Sequence, residues 1–168
     1  MNRWLRLIKH RWLDEADTRR ALDDAALARL AERVRRSEQG HGGEIRVCVE
    51  AGLPLSYLWR GLSARDRAIT LFGKLRVWDT EHNNGVLIYL LLAEHSIEIV
   101  ADRAVARHVG PAQWDALIAR MRQAFAAGQF EAGLADAVDA VDALLTQHFA
   151  LPAGSINPNE LPDAPLRR

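Results

Sequence analysis

The stretch Gly85-Val86-Leu87-Ile88-Tyr89-Leu90-Leu91-Leu92 decides the fold. It has almost no polar member. A strand with one wet face alternates apolar and polar residues, whereas this run reads as a strand covered on both faces, which requires helices on both sides of a sheet. Asp79 to Asn84 forms the turn that leads into it, and Asn84-Gly85 is a common turn pair. A four-residue turn then leads to Ile97–Ala101, and so short a link favours an antiparallel hairpin. A further strand precedes them at residues 44–50. There Ile45, Val47 and Val49 alternate with Arg46 and Cys48, the period-two spacing of a strand. Gly52 and Pro54 close it.

Helices surround these strands. Asp24 to Arg36 carries the stripe Leu27, Leu30, Ala31 and Val34. Ser63 to Arg76 starts with a capping residue, Ser63, and with Asp66 three positions later. Pro111 follows Gly110 at a first helical position, and Trp114, Leu117, Ile118, Met121 and Phe125 then recur at helical spacing up to Gly128. From Phe130, the residues Leu134, Val138, Val141, Leu145 and Phe149 repeat every three or four positions. These aromatic and Met side chains are core residues. The expected fold is α/β, a three-layer α/β/α sandwich with a central mixed β-sheet. Residues 1–13 form an N-terminal helix, 14–150 the domain, and 151–168 an irregular tail with prolines at 152, 158, 162 and 165, able to pack as an extended strap.

The N-terminal helix is basic and amphipathic. Trp4, Leu5, Ile8 and Trp12 share a face, with Arg3, Arg6 and Arg11 largely on the other sides. Either the helix docks its Trp face on the domain, or that face meets a membrane surface or a protein partner.

Composition narrows the function. The chain has 168 residues and a formal net charge of +0, from 22 basic and 22 acidic residues. That balance argues against nucleic acid or an anionic membrane as the main partner, while leaving room for a local basic patch. The lone Cys48 cannot form an intrachain disulfide and reads as a small core residue. Met1 to Leu13 has no secretory h-region, and the longest apolar run is too short to span a bilayer, so a cytoplasmic location is expected.

No phosphate-binding glycine loop, nucleophile elbow, C-x-x-C or H-E-x-x-H motif is present. Topology is more informative. If the strands at 44 and 85 are parallel, linked through the helix at 63, their starts share one edge of the sheet, and the finish of the strand at 97 joins them. Glu44, Asp79, Asn83, Asn84, Asp102 and Arg103 then converge. Glu44, Asn84 and Asp102 offer the hard oxygens that Ca²⁺ or Mg²⁺ takes, while Arg103, with Asp79 and Asn83, would contact a phosphate or other ligand. The same residues also suit turns and caps. Ligands of open α/β sheets, moreover, favour the opposite, carboxyl ends of parallel strands.

The segment from Leu75 to Tyr89, with Trp78-Asp79 and Asn83-Asn84-Gly85-Val86-Leu87-Ile88, resembles the TPM domain family. Gly43-Glu44-Ile45-Arg46, Val100-Ala101-Asp102-Arg103 and Phe130-Glu131-Ala132-Gly133-Leu134 extend the likeness. Asn159-Glu160-Leu161-Pro162 is similar to the ending of a short bacterial branch without signal peptide or membrane anchor. The family joins a thylakoid-lumen acid phosphatase, a photosystem-repair protein and a receptor modulator. The resemblance implies an α/β/α sandwich and, for some members, divalent metal binding and phosphatase activity. Longer relatives often place glycine after the Asp-Arg pair, where this chain has Ala104. If that backbone required a positive φ, Ala104 would be strained. The function expected is a non-enzymatic interaction module that binds a divalent metal. The alternative is a metal-dependent acid-phosphatase-like hydrolase, for which no nucleophile or general base is evident.

Overall fold

A computed structural model describes residues 3–13, 15–152, 154, 155 and 157–168. The expected helix start at residue 2 and domain boundary at Asp14 lie outside the described residues. Strands β1 (Glu44–Glu50), β2 (Gly85–Leu91), β3 (Ser96–Ala101) and β4 (Leu166–Arg167) form one sheet in the order β3-β2-β1-β4. β1 runs parallel to β2 and to β4, and β3 returns antiparallel to β2. The helices are α1 (Arg3–Trp12), α2 (Glu15–Ala21), α3 (Asp24–Ser37), α4 (Leu55–Arg60), α5 (Ala64–Lys74), α6 (Arg103–His108), α7 (Pro111–Ala126) and α8 (Phe130–Phe149).

The mixed α/β/α architecture follows from side-chain alternation. Ile45, Val47 and Val49 of β1, Val86, Ile88 and Leu90 of β2, and Ile97 and Ile99 of β3 meet α3, α7 and α8 in one apolar cluster. Cys48, Leu87, Tyr89, Leu91 and Val100 point the other way, toward α4, α5 and Leu161 of the tail. On this second face β1 is mostly polar. Glu50 accepts two hydrogen bonds from the Arg67 guanidinium, at 2.8 and 2.6 Å, and one from the Tyr89 hydroxyl at 2.9 Å. A buried pair bound in this bidentate way leaves neither charge uncompensated. Arg46 donates to the carbonyls of Pro162 and Ala164, and so ties down the tail.

The tail is a strap, and its last residues are more regular than its prolines suggest. Leu166 and Arg167 pair with Cys48 and Val49, covering the free edge of β1. Cys48 is fully buried, and burial pushes its thiol up to about 12, the condition of an inert core residue.

α1 docks the other way round from a helix that buries its Trp face. Arg6 donates to Glu94 at 2.7 Å and to the Leu62 carbonyl at 2.8 Å. His10 is buried: its Nδ1 accepts from Leu53 N–H at 3.0 Å, so Nε2 carries the proton and faces Glu94 at 3.0 Å. Trp4, Ile8 and Trp12 remain exposed.

The start of β2 is a steric fixed point. A Cβ on Gly85 would lie 2.0 Å from the Val77 carbonyl oxygen. Backbone cannot yield as a flexible side chain can, so Gly85→Ala is expected to cost about 3 kcal/mol or more in urea unfolding, the upper range for overpacking. A second expectation concerns α1. The hydrogen bond with His10, and then that with Arg6, holds the Glu94 carboxyl at about 2 rather than 4.5. Between these values the folded state carries fewer protons than the unfolded chain. The stability this contributes is full above pH 4.5 and is lost as pH falls toward 2. Unfolding curves across this window should fall more steeply for the native sequence than for Glu94→Gln.

Candidate functional site

The parallel register sets Glu44 opposite Gly85 and Val86 opposite Ala101. Asp102 N–H donates to the Gly85 carbonyl at 2.9 Å, one step beyond the last paired residue of β3. Glu44 and Asp102 therefore flank Gly85 on the same face, with backbones about 10 Å apart, two strand spacings. The Val77 carbonyl lies over Gly85, in the strip that separates the two carboxylates.

The turn before β2 builds the next part. Asn83 has φ 53°, a left-handed conformation that Asn tolerates. Asn84 N–H donates to Thr80 Oγ1 at 3.1 Å, and its side-chain amide donates to the Gly42 carbonyl at 2.7 Å. This clamps the turn to the start of β1. Asp102 caps α6, its Oδ1 accepting from Arg103 N–H at 2.6 Å. Arg103 donates through Nη2 to Asn83 Oδ1 at 2.6 Å, so the two expected ligand-contact residues hold each other, with the guanidinium still mostly exposed. Asp79 is exposed; its carboxylate stands 3.9 Å from the Arg76 guanidinium and its N–H donates to the Arg76 carbonyl at 2.9 Å. Ala104 lies within α6 without a positive φ, and its N–H donates to the Asn83 carbonyl at 3.0 Å. Alanine is unstrained there.

Glu44, Asn84 and Asp102 share one property. Each is buried and each leaves one side-chain oxygen without a partner: Glu44 Oε1, Asn84 Oδ1 and Asp102 Oδ2. The other buried unpartnered side-chain atoms among the described residues are Glu38 Oε2 and Asn157 Oδ1, and these too are oxygens. Glu38 reaches over the start of β1, where its Oε1 accepts from Ile45 N–H at 2.8 Å. Asn157 donates to the Glu38 carbonyl at 3.3 Å. Glu44 Oε2 accepts from Leu161 N–H at 3.0 Å. Burial pushes Glu44 up and lifts Glu38 to about 8; the neighbouring Glu44 also raises Glu38.

Buried acceptors with no donor are costly, and a cation or water relieves them. The donor set is all oxygen, which suits a hard cation. Among the described residues no three acidic, His or Cys side chains gather closely enough to hold an ion. An ion here would need amide or backbone oxygens and water beside the carboxylates.

A fully buried histidine, His41, lies just before the start of β1. His41 Nε2 lies 2.9 Å from Ser37 Oγ and 3.3 Å from Asp142, while Nδ1 accepts from Gly43 N–H at 3.2 Å. Serine and aspartate share one ring nitrogen. A nucleophilic relay needs them on opposite nitrogens, so this trio ties α3 to α8 instead.

The TPM domain family matches residues 16–144. The chain belongs to that family. Its structure is similar to the BA42 protein of the psychrophilic bacterium Bizionia argentinensis, at 25% identity, 88% coverage of this chain and 95% of that one, with a TM-score of 0.76. It is also similar in fold to the N-terminal domain of a protein from P. gingivalis, at 19% identity, 78% and 82% coverage and a TM-score of 0.64. No curated protein matches the sequence. In this TPM domain the Asn84 amide is the clamp of the strand starts. Asn84→Ala leaves the Gly42 carbonyl without its donor, and urea unfolding should show a loss of about 1–3 kcal/mol.

Proposed function

We propose that this TPM domain is a non-enzymatic interaction module that binds Ca²⁺ or Mg²⁺ where β1 and β2 begin. The reading is carried by one observation: Glu44, Asn84 and Asp102 are all buried, and each has an oxygen with no partner. Glu44 is the principal ligand in this reading, with Asn84 beside it at the strand starts and Asp102 across Gly85. The ion stabilises the turn before β2 and the cap of α6 rather than polarising a substrate. Asn83 and Arg103 hold the rim, and the exposed guanidinium is the group available to an anionic ligand.

Binding of an ion to the folded state alone raises stability by about 2.7 kcal/mol at a hundredfold excess over Kd. Thermal unfolding of the chelator-treated protein should therefore show Tm rising with added Ca²⁺ or Mg²⁺. Glu44→Gln and Asp102→Asn should each reduce the rise. A generic phosphomonoester should not be hydrolysed with either ion. Unchanged Tm with both ions would overturn the metal assignment. Mg²⁺-dependent hydrolysis abolished by Asp102→Asn would establish the phosphatase reading in its place.

A further inference from the structure

Most of the exposed apolar surface gathers far from the strand starts. Large apolar side chains exposed among the described residues are Trp4, Ile8, Trp12, Leu55, Trp59, Ile69 and Trp78. The first five belong to α1 and α4, which pack against each other. Trp4 is 72% exposed, Trp12 84% and Trp59 66%. α1 docks on Leu53 and Glu94, just beyond the ends of β1 and β2, at the opposite end of the sheet from Asn84.

The docking of α1 makes this exposure specific. At 100° per residue, Arg6, Leu7 and His10 lie on one side of the helix, and Trp4, Ile8 and Trp12 on the other. The side with Arg6, Leu7 and His10 is the one held to the domain, by the bonds of Arg6 and His10 to Glu94 and to backbone and by Leu7 packing on the core. A helix that merely completed a core would turn its indoles inward. This one is fastened so that they point out.

Charge identifies what they meet. Lys9 and Arg11 are exposed and border the Trp4-Ile8-Trp12 stripe on its two sides. Arg60, also exposed, ends α4. From Met1 to Leu13 the sequence has no acidic residue, although the whole chain has a formal net charge of +0. Indoles on an apolar stripe, flanked on both sides by long basic side chains, match the interfacial zone of a bilayer: the rings enter the headgroup boundary and the cations stay with anionic headgroups. The stripe is a convex helix surface with charge on both flanks, which suits a planar anionic surface better than a protein groove.

We propose that α1, with α4 beside it, is a docking surface for anionic lipid bilayers, holding the domain at a membrane without crossing it. No described helix is long and apolar enough to cross one.

The test uses the full chain with vesicles of phosphatidylcholine alone and of phosphatidylcholine with about one-third phosphatidylglycerol. The protein should cosediment with the anionic vesicles and not with the neutral ones, with a blue shift of Trp emission and release at high salt. Trp4→Ser with Trp12→Ser should weaken binding at least tenfold, as should Lys9→Glu with Arg11→Glu, while circular dichroism and Tm stay close to those of the native sequence. If the tryptophan variant proves unstable, the charge variant, which alters only exposed side chains, carries the test. Three results would overturn the proposal: no binding to anionic vesicles at low salt, equal binding by the charge variant, or a native dimer that the tryptophan variant dissolves. The last would assign the stripe to a second copy of the chain.

Discussion

The contact of the Val77 carbonyl with Gly85 constrains much of the rest. It places the turn from Val77 to Asn84 against the first residue of β2, and so helps fix the register in which Gly85 opposes Glu44. In a strand every step of register reverses the faces. A slip of one residue would send Ile45, Val47 and Val49 toward α4 and α5, and bring Glu44, Arg46 and Glu50 under α3 and α8. The same register brings Glu44 and Asp102 to either side of Gly85.

The layers and most elements were legible in the sequence because apolar runs and alternation determine them. The run from Gly85 announces a strand covered on both faces, and both faces are covered. Ser63 and Asp66 form the capping box expected of them. The shorter elements were not legible. Leu55–Arg60 spans only six residues between two strong signals, too few for a helical period to emerge. Asp102 was readable both as ligand and as cap, and the structure shows the capping bond while leaving the second oxygen without a partner. The topology that brings Glu44, Asn84 and Asp102 to one end of the sheet could be inferred from the link lengths. Glu38 and Asn157 could not, since one ends a helix and the other lies in the tail, and no local spacing connects either to β1.

The N-terminal helix marks another limit of sequence periodicity. The pattern of Trp4, Ile8 and Trp12 establishes an amphipathic helix but not which side turns inward. That choice is made by Glu94, which lies in the turn between β2 and β3 and receives Arg6 and His10. Hydrogen bonds to specific acceptors override the ordinary preference for burying the apolar side.

The two faces of the sheet differ in how they can change over evolutionary time. Toward α3, α7 and α8 the contacts are aliphatic and aromatic, and such layers accept one substitution after another as long as volume is kept. Toward the tail, β1 presents Glu44, Arg46 and Glu50, each bound to a distant segment. Loss of Glu50 strands the Arg67 charge, and loss of Glu44 or Arg46 leaves backbone groups of the tail without their partners, so these positions resist change. Sequence drift should therefore run unevenly through the molecule: free beneath the long helices, and arrested along the polar row that seats the tail.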